Sequence, residues 1–139
     1  MQIVKYKKQY KKKFNTVKTE FLGTVQVGSY GLKAISSGFL TAKQLETARR
    51  VIARITKRTG KILIRVFFNQ PLTKKPLLTR MGKGSGPIKN WVLYVKKGIV
   101  ILETNNISKK LAFKAFKAAS LRLPVNVDFV SREVYSKVI

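Results

Sequence analysis

The chain has 139 residues, 45 % of them apolar, which is enough for one hydrophobic core and short for two. Its 30 Lys and Arg face five acids for a formal charge of +25, whereas a lone globular domain usually stays within roughly ±8. Self-repulsion of that size calls for a polyanionic partner, nucleic acid before an anionic membrane surface. With no cysteine, no histidine and only Glu20, Glu46, Glu103, Asp128 and Glu133 as carboxylates, disulfide, thiol, metal and acid–base chemistry all lack their usual groups.

Met1 to Lys18 carries seven lysines, with Tyr6, Tyr10 and Phe14 spaced four apart. Residues 1–20 read as a basic extension that orders along phosphates while its rings stack or wedge, and residues 21–139 as a single domain. "FLGTVQVGSYGLKA" suggests a short strand at Thr24 to Val27 and a turn at Gly28 to Gly31. "LTAKQLETARRVIARITKRTGK" carries the strongest helical pattern. Thr41 and Gln44 form a capping box, and Gly60 is the expected left-handed terminator. Leu45, Ala48, Val51, Ile52 and Ile55 gather on one side of that helix, and Lys43, Arg50, Arg54, Lys57 and Arg58 on the other. No acid follows Glu46 to neutralise the basic side, so it reads as a phosphate-facing surface.

"KILIRVFF", Lys61 to Phe68, predicts a strand with Ile62, Ile64 and Val66 on one side, followed by a proline-containing connection through Asn69 to Pro76. Farther on, "WVLYV" and "IVILE" are separated by Lys96, Lys97 and Gly98, the spacing of a hairpin with a left-handed glycine. A second helix is expected from its cap Ser108 to Leu121, before Pro124, with Leu111, Ala112, Ala115 and Ala119 inward and Lys110, Lys114 and Lys117 outward. "VNVDFV", Val125 to Val130, is the last strand. The order predicts an α+β sandwich, two helices on one face of a mainly antiparallel sheet.

Between the strands lies "PLLTRMGKGSGPIKNW", part of an extended loop at about residues 76–90. "GKGSG" is neither GxxxxGK[ST] nor GxGxxG, and a β-rich run rather than a helix N-terminus follows it, so a nucleotide cradle is not supported. Glycines that admit close backbone approach, interleaved with Arg80, Lys83 and Lys89, suit a loop that enters a crowded, phosphate-lined space.

"VGSYGLKAISSGFLTAKQLETARR" followed by "GKILIRVFFNQPLTKKPLLTRMGKGSG" resembles the bacterial-type large-subunit ribosomal protein sixteen family over roughly Gly28 to Val130. The resemblance implies a non-enzymatic component that binds large-subunit rRNA near the base of the central protuberance, beside other large-subunit proteins. It also implies that the loop Arg80, Met81, Gly82, Lys83, Gly84, Ser85, Gly86 extends toward the tRNA elbow and the peptidyl transferase region, supporting A-site and P-site tRNAs. Ser85 stands where the family usually has lysine. Gly28, Gly31, Leu32 and Lys33 match the family's glycine-containing turn, and Thr41, Arg49 and Arg50 the start of its first helix. In the extension Lys5 and Lys8 can be placed on the family pattern, and Lys11 and Lys12 by charge alone. Expected rRNA contacts are therefore Lys5, Lys8, Lys11, Lys12, Lys33, Arg49, Arg50, Arg54, Lys57, Arg58, Lys110, Lys114 and Lys117.

Glu103 and Asp128, the acids in predicted strands of the core region, are expected to pair with neighbouring lysines. The rival reading is a free-standing architectural nucleic-acid-binding protein, against which no helix-turn-helix or wedge-bearing ribbon is legible. Alanine-rich inner helix faces suit packing on a sheet better than immersion in a membrane surface. Lysine bias without histidine fits an AT-rich gene. The expected setting is a mitochondrial ribosome served by an organelle-encoded chain, with plastid or bacterial cytoplasm as the alternatives. No cofactor is expected.

Overall fold

Helix α1 begins where its capping box dictates. In the computed structural model, which describes Lys8 and residues 23–82 and 84–132, Thr41 Oγ1 accepts the Gln44 N–H and Gln44 Oε1 accepts the Thr41 N–H. From there α1 runs over Ala42–Ile55 and buries Leu45, Ala48 and Ile52. Its end departs from expectation. The left-handed residues are Lys57 (φ 50°) and Arg58 (φ 63°), not Gly60. The Lys57 N–H donates to the Arg54 carbonyl and the Arg58 N–H to the Ala53 carbonyl, closing a Schellman motif with lysine at the position glycine usually fills. Gly60 serves another purpose: a Cβ there would sit 2.3 Å from the Ile107 side chain and 2.8 Å from the Asn105 carbonyl.

Strands β1 (Tyr30–Ala34), β2 (Gly38–Thr41), β3 (Lys61–Ile64), β4 (Gln70–Thr73), β5 (Ile88–Val95), β6 (Val100–Asn105) and β7 (Val127–Ser131) divide between two sheets. The larger has the order β3-β6-β1-β7 and the smaller β2-β5-β4, and every pairing is antiparallel. Helix α2 (Lys109–Ser120) packs on α1 and on β1 and β7, while α1 reaches β2 and β5. Ala48 of α1 and Ala112, Ala115 and Ala119 of α2 are buried, and residues this small let the two helices approach closely. The core also holds Leu32, Leu40, Val95, Leu102 and Phe116. Phe116 was not among the residues expected on the inner face of α2. The fold is α+β, two helices packed against mainly antiparallel sheet.

Four expectations change. Thr24 to Val27 is not a strand; Val25 is buried as part of a covering segment, and Gly31 lies within β1 rather than in a turn. Of the expected long strand only Lys61–Ile64 forms β3, with the Arg65 N–H still donating to the Ile101 carbonyl, and Ile64 is exposed rather than sharing a buried side with Ile62 and Val66. The connection after Asn69 contains a strand, β4. The expected hairpin of residues 91–95 with 99–103 does not form: β5 pairs with β2 and β4, β6 with β1 and β3, and Lys96 to Gly98 carry the chain from one sheet to the other. Gly98 is left-handed as expected (φ 95°).

Candidate nucleic-acid interface

The outward side of α1 does not end in a plain convex surface. The Schellman turn folds Lys57 and Arg58 back beside the helix, and with Arg49, Arg50, Ala53, Arg54, Gly60 and Ile62 they line a concavity of about 740 Å³. Five cations therefore converge on one open space. Two of them share a carboxylate: Glu46 accepts from Arg49 at 2.8 Å and from Arg50 at 3.0 Å. Glu46 thus offsets part of the basic side, although no acid follows it along the helix. The two guanidinium hydrogen bonds lower the Glu46 carboxyl to about 2. Arg54, Lys57 and Arg58 make no ion pair with a described residue. Sequence periodicity gathers Arg50, Arg54, Lys57 and Arg58 on one side; the left-handed turn at Lys57 and Arg58, and the place of Arg49 in the same concavity, needed the structure.

A second basic surface is the outer side of α2, where Lys110, Lys114 and Lys117 are exposed. Lys33 does not join either helix surface. It alternates with Leu32 on β1, and Leu32 faces the core, so Lys33 points to the opposite face of the larger sheet, where its ammonium lies near Gly23. That face carries Glu103, fully buried at 0 % exposure. Its carboxylate accepts the backbone N–H groups of Gln26 (3.2 Å), Val27 (3.0 Å) and Gly28 (2.8 Å), and Arg65 lies 3.4 Å away. Glu103 thus pairs with backbone and an arginine, not with a lysine as expected. Burial acts to raise this carboxyl, yet the three N–H groups and the Arg65 charge outweigh it and hold it below the ordinary value. Asp128, by contrast, has no ion pair with a described residue; its Oδ1 accepts the Phe129 N–H at 2.7 Å.

The extended loop leaves the fold from the smaller sheet, between β4 and β5. The Lys74 N–H donates to the Pro87 carbonyl at its base, Thr79 Oγ1 donates to the Pro76 carbonyl, and Lys75 Nζ bonds the Gly82 carbonyl. Gly82 (φ 106°) and Gly84 (φ 71°) take backbone angles that L-residues rarely adopt, with open space where a Cβ would stand. Arg80, Ser85 and Met81 are exposed on it, and so are Leu77 and Leu78, so it presents apolar as well as basic side chains. Lys8 Nζ donates to the Ser85 carbonyl at 3.1 Å, a link from the basic extension to the loop. Lys5, Lys11, Lys12 and Lys83 lie outside the described residues.

No group of three or more His, Cys, Asp or Glu that could hold a metal occurs among the described residues. Converging guanidinium and ammonium groups can bind phosphates but cannot cleave them without a base or a metal. The family described as ribosomal protein L16p/L10e matches residues 1–130, nearly the whole chain. With its cationic concavity, its second basic helix and its protruding basic loop, this chain belongs to the L16p/L10e ribosomal protein family, and its role is that of a non-catalytic, RNA-binding structural part of the large ribosomal subunit.

Proposed function

We propose that the chain is the bacterial-type protein sixteen of a large subunit, seated on rRNA at the base of the central protuberance, and that its loop supports tRNA at the A and P sites. The observation that carries the tRNA reading is the loop itself. It projects from a two-strand stem, exposes Arg80 with Leu77, Leu78 and Met81, and bonds within itself and to Lys8 rather than to the core. The cationic concavity of α1, the outer side of α2, and Lys5, Lys8, Lys11, Lys12 and Lys33 are the rRNA contacts of this proposal. Positively charged side chains there position the protein on phosphates, while the loop backbone approaches closely through its glycines. The compartment we propose is the mitochondrion, with the chain organelle-encoded, from its lysine bias and absent histidine.

Replacing residues 81–85 with two glycines tests the loop. The variant is expected to enter large subunits and resist a high-salt wash as the unaltered chain does, because the described residues among those removed, Met81, Gly82, Gly84 and Ser85, are exposed. Ribosomes carrying it are expected to bind A-site tRNA more weakly. Equal A-site occupancy would leave the loop without a tRNA role.

A further inference from the structure

Away from the α1 concavity, α2 and the edge strand β7 enclose a cleft of about 210 Å³ whose lining includes Phe113, Phe116, Lys117, Asp128 and Phe129. The rings in it form one cluster. Phe129 stacks on Tyr30 at 5.5 Å, meets Phe113 edge-on at 5.6 Å and meets Phe116 at 5.8 Å. Phe116 is fully buried, so the inner wall is fixed, whereas Phe113 is 53 % exposed and leaves its outer part open to solvent.

We infer that this cleft is a receiving site for one unstacked nucleobase of single-stranded RNA, a site distinct from the phosphate-binding concavity of α1. The inference rests on the RNA-binding role of the chain, and three features narrow the occupant. First, a helix places residues three and four apart on one side, so Lys110 and Lys117 stand one turn before and one turn after Phe113. Their stems leave α2 about 10 Å apart, seven residues at 1.5 Å each. That spacing lets the phosphates on either side of one base meet an ammonium while the base lies on the ring. Second, the cleft wall includes Asp128, which has no ion pair with a described residue in a chain of +25. A carboxylate repels a phosphate and accepts from the exocyclic amine of adenine, cytosine or guanine. Third, buried Phe116 and half-exposed Phe113 give the cleft, about 210 Å³, one aromatic wall that is open on its outer side, a shape that receives the face of a single unpaired base. Aromatic faces with flanking cations are the usual means of holding unpaired bases.

The experiment uses the full chain with RNA hexamers of adenosine, of uridine, and of abasic ribose-phosphate at moderate salt. The adenosine hexamer is expected to bind about tenfold more tightly than the abasic one, and its addition to shift the ring resonances of Phe113 and Phe129 upfield. Phe113→Ala, at a half-exposed position, is expected to abolish that tenfold gain and leave abasic binding unchanged. The unaltered chain is expected to prefer the adenosine to the uridine hexamer, and Asp128→Ala to narrow that preference to the part that stacking supplies; an unchanged preference would refute the Asp128 contact. If adenosine and abasic hexamers bind the unaltered chain equally, with no ring shifts, the base site is refuted while phosphate binding stands. If the abasic hexamer fails to bind as well, the phosphate reading falls with it.

Discussion

Glu103→Gln removes one charge at a fully buried position, and its cost follows from the contacts. Oε2 accepts from Val27 and Gly28, and Oε1 from Gln26, with Arg65 at 3.4 Å. A glutamine can keep its single carbonyl toward Val27 and Gly28, but its NH₂ then faces the Gln26 N–H and the Arg65 guanidinium, donor against donor. The Gln26 N–H, only part-buried, loses its acceptor at about 1 kcal/mol, and two bonds that lose charge assistance cost about 1 kcal/mol each, so the sum is roughly 3 kcal/mol. For a domain of this size that lowers the thermal midpoint by roughly 10 °C. Urea unfolding of the two proteins measures the difference, and hydrogen exchange localises it: the amides of Gln26, Val27 and Gly28 are expected to lose protection first. Arg65→Gln, which removes the longer ion pair to Glu103 and the guanidinium's hydrogen bond to the Gln26 side-chain carbonyl, is expected to cost about 1 kcal/mol. A Glu103→Gln protein within 1 kcal/mol of the original, with those three amides still protected, would refute the account of Glu103 as the anchor of residues 26–28.

Acidification should report the same carboxylate. Both Glu103 and Glu46 sit below their ordinary values when folded, so their stabilisation is present above about pH 4.5 and is lost as pH falls through the folded values, for Glu46 down to about 2. Stability measured by urea at fixed salt is expected to be level from pH 7 to about pH 5 and to fall below it; a rise on acidification would contradict the sign. Glu46→Gln should lower stability at pH 7 by no more than about 1 kcal/mol, since its arginine pairs are solvent-screened. Lys57→Gly should relieve a left-handed lysine and stabilise the fold by about 0.5–1 kcal/mol while weakening RNA binding, checked by melting and filter binding. Arg50→Ala with Arg54→Ala should leave the melting midpoint almost unchanged and weaken RNA binding. With about eight phosphates neutralised, the intact protein's log affinity should fall against log salt with a slope of roughly 6–7, and a slope near 1 would count against phosphate-dominated binding.

What the sequence determined by itself is local. The Thr41–Gln44 capping box, the apolar stripe of Leu45, Ala48 and Ile52, and the lysines of α2 depend on residues within a few positions of one another, so spacing alone reveals them. The charge of +25 is equally visible, and with it the need for a polyanion. Strand partners were not legible. Residues 91–95 and 99–103 are both apolar enough to pair with each other across a glycine turn, yet each found partners in a separate sheet, because pairing is settled by which strands the whole chain brings alongside. The terminator of α1 was misread for a related reason. Glycine was expected at the left-handed position, but Gly60 is required where Ile107 and the Asn105 carbonyl crowd in, and Lys57 bears the strained angle instead. Glu103 shows the same divide: its identity marks a carboxylate in a strand, but only the tertiary structure lays the backbone of Gln26 to Gly28 over it, some 75 residues away in sequence. The aromatic cleft is likewise a product of assembly, since β1, α2 and β7 supply its walls, whereas the basic concavity is lined by residues 49–62 alone and the helical period already places four of its five cations on one side.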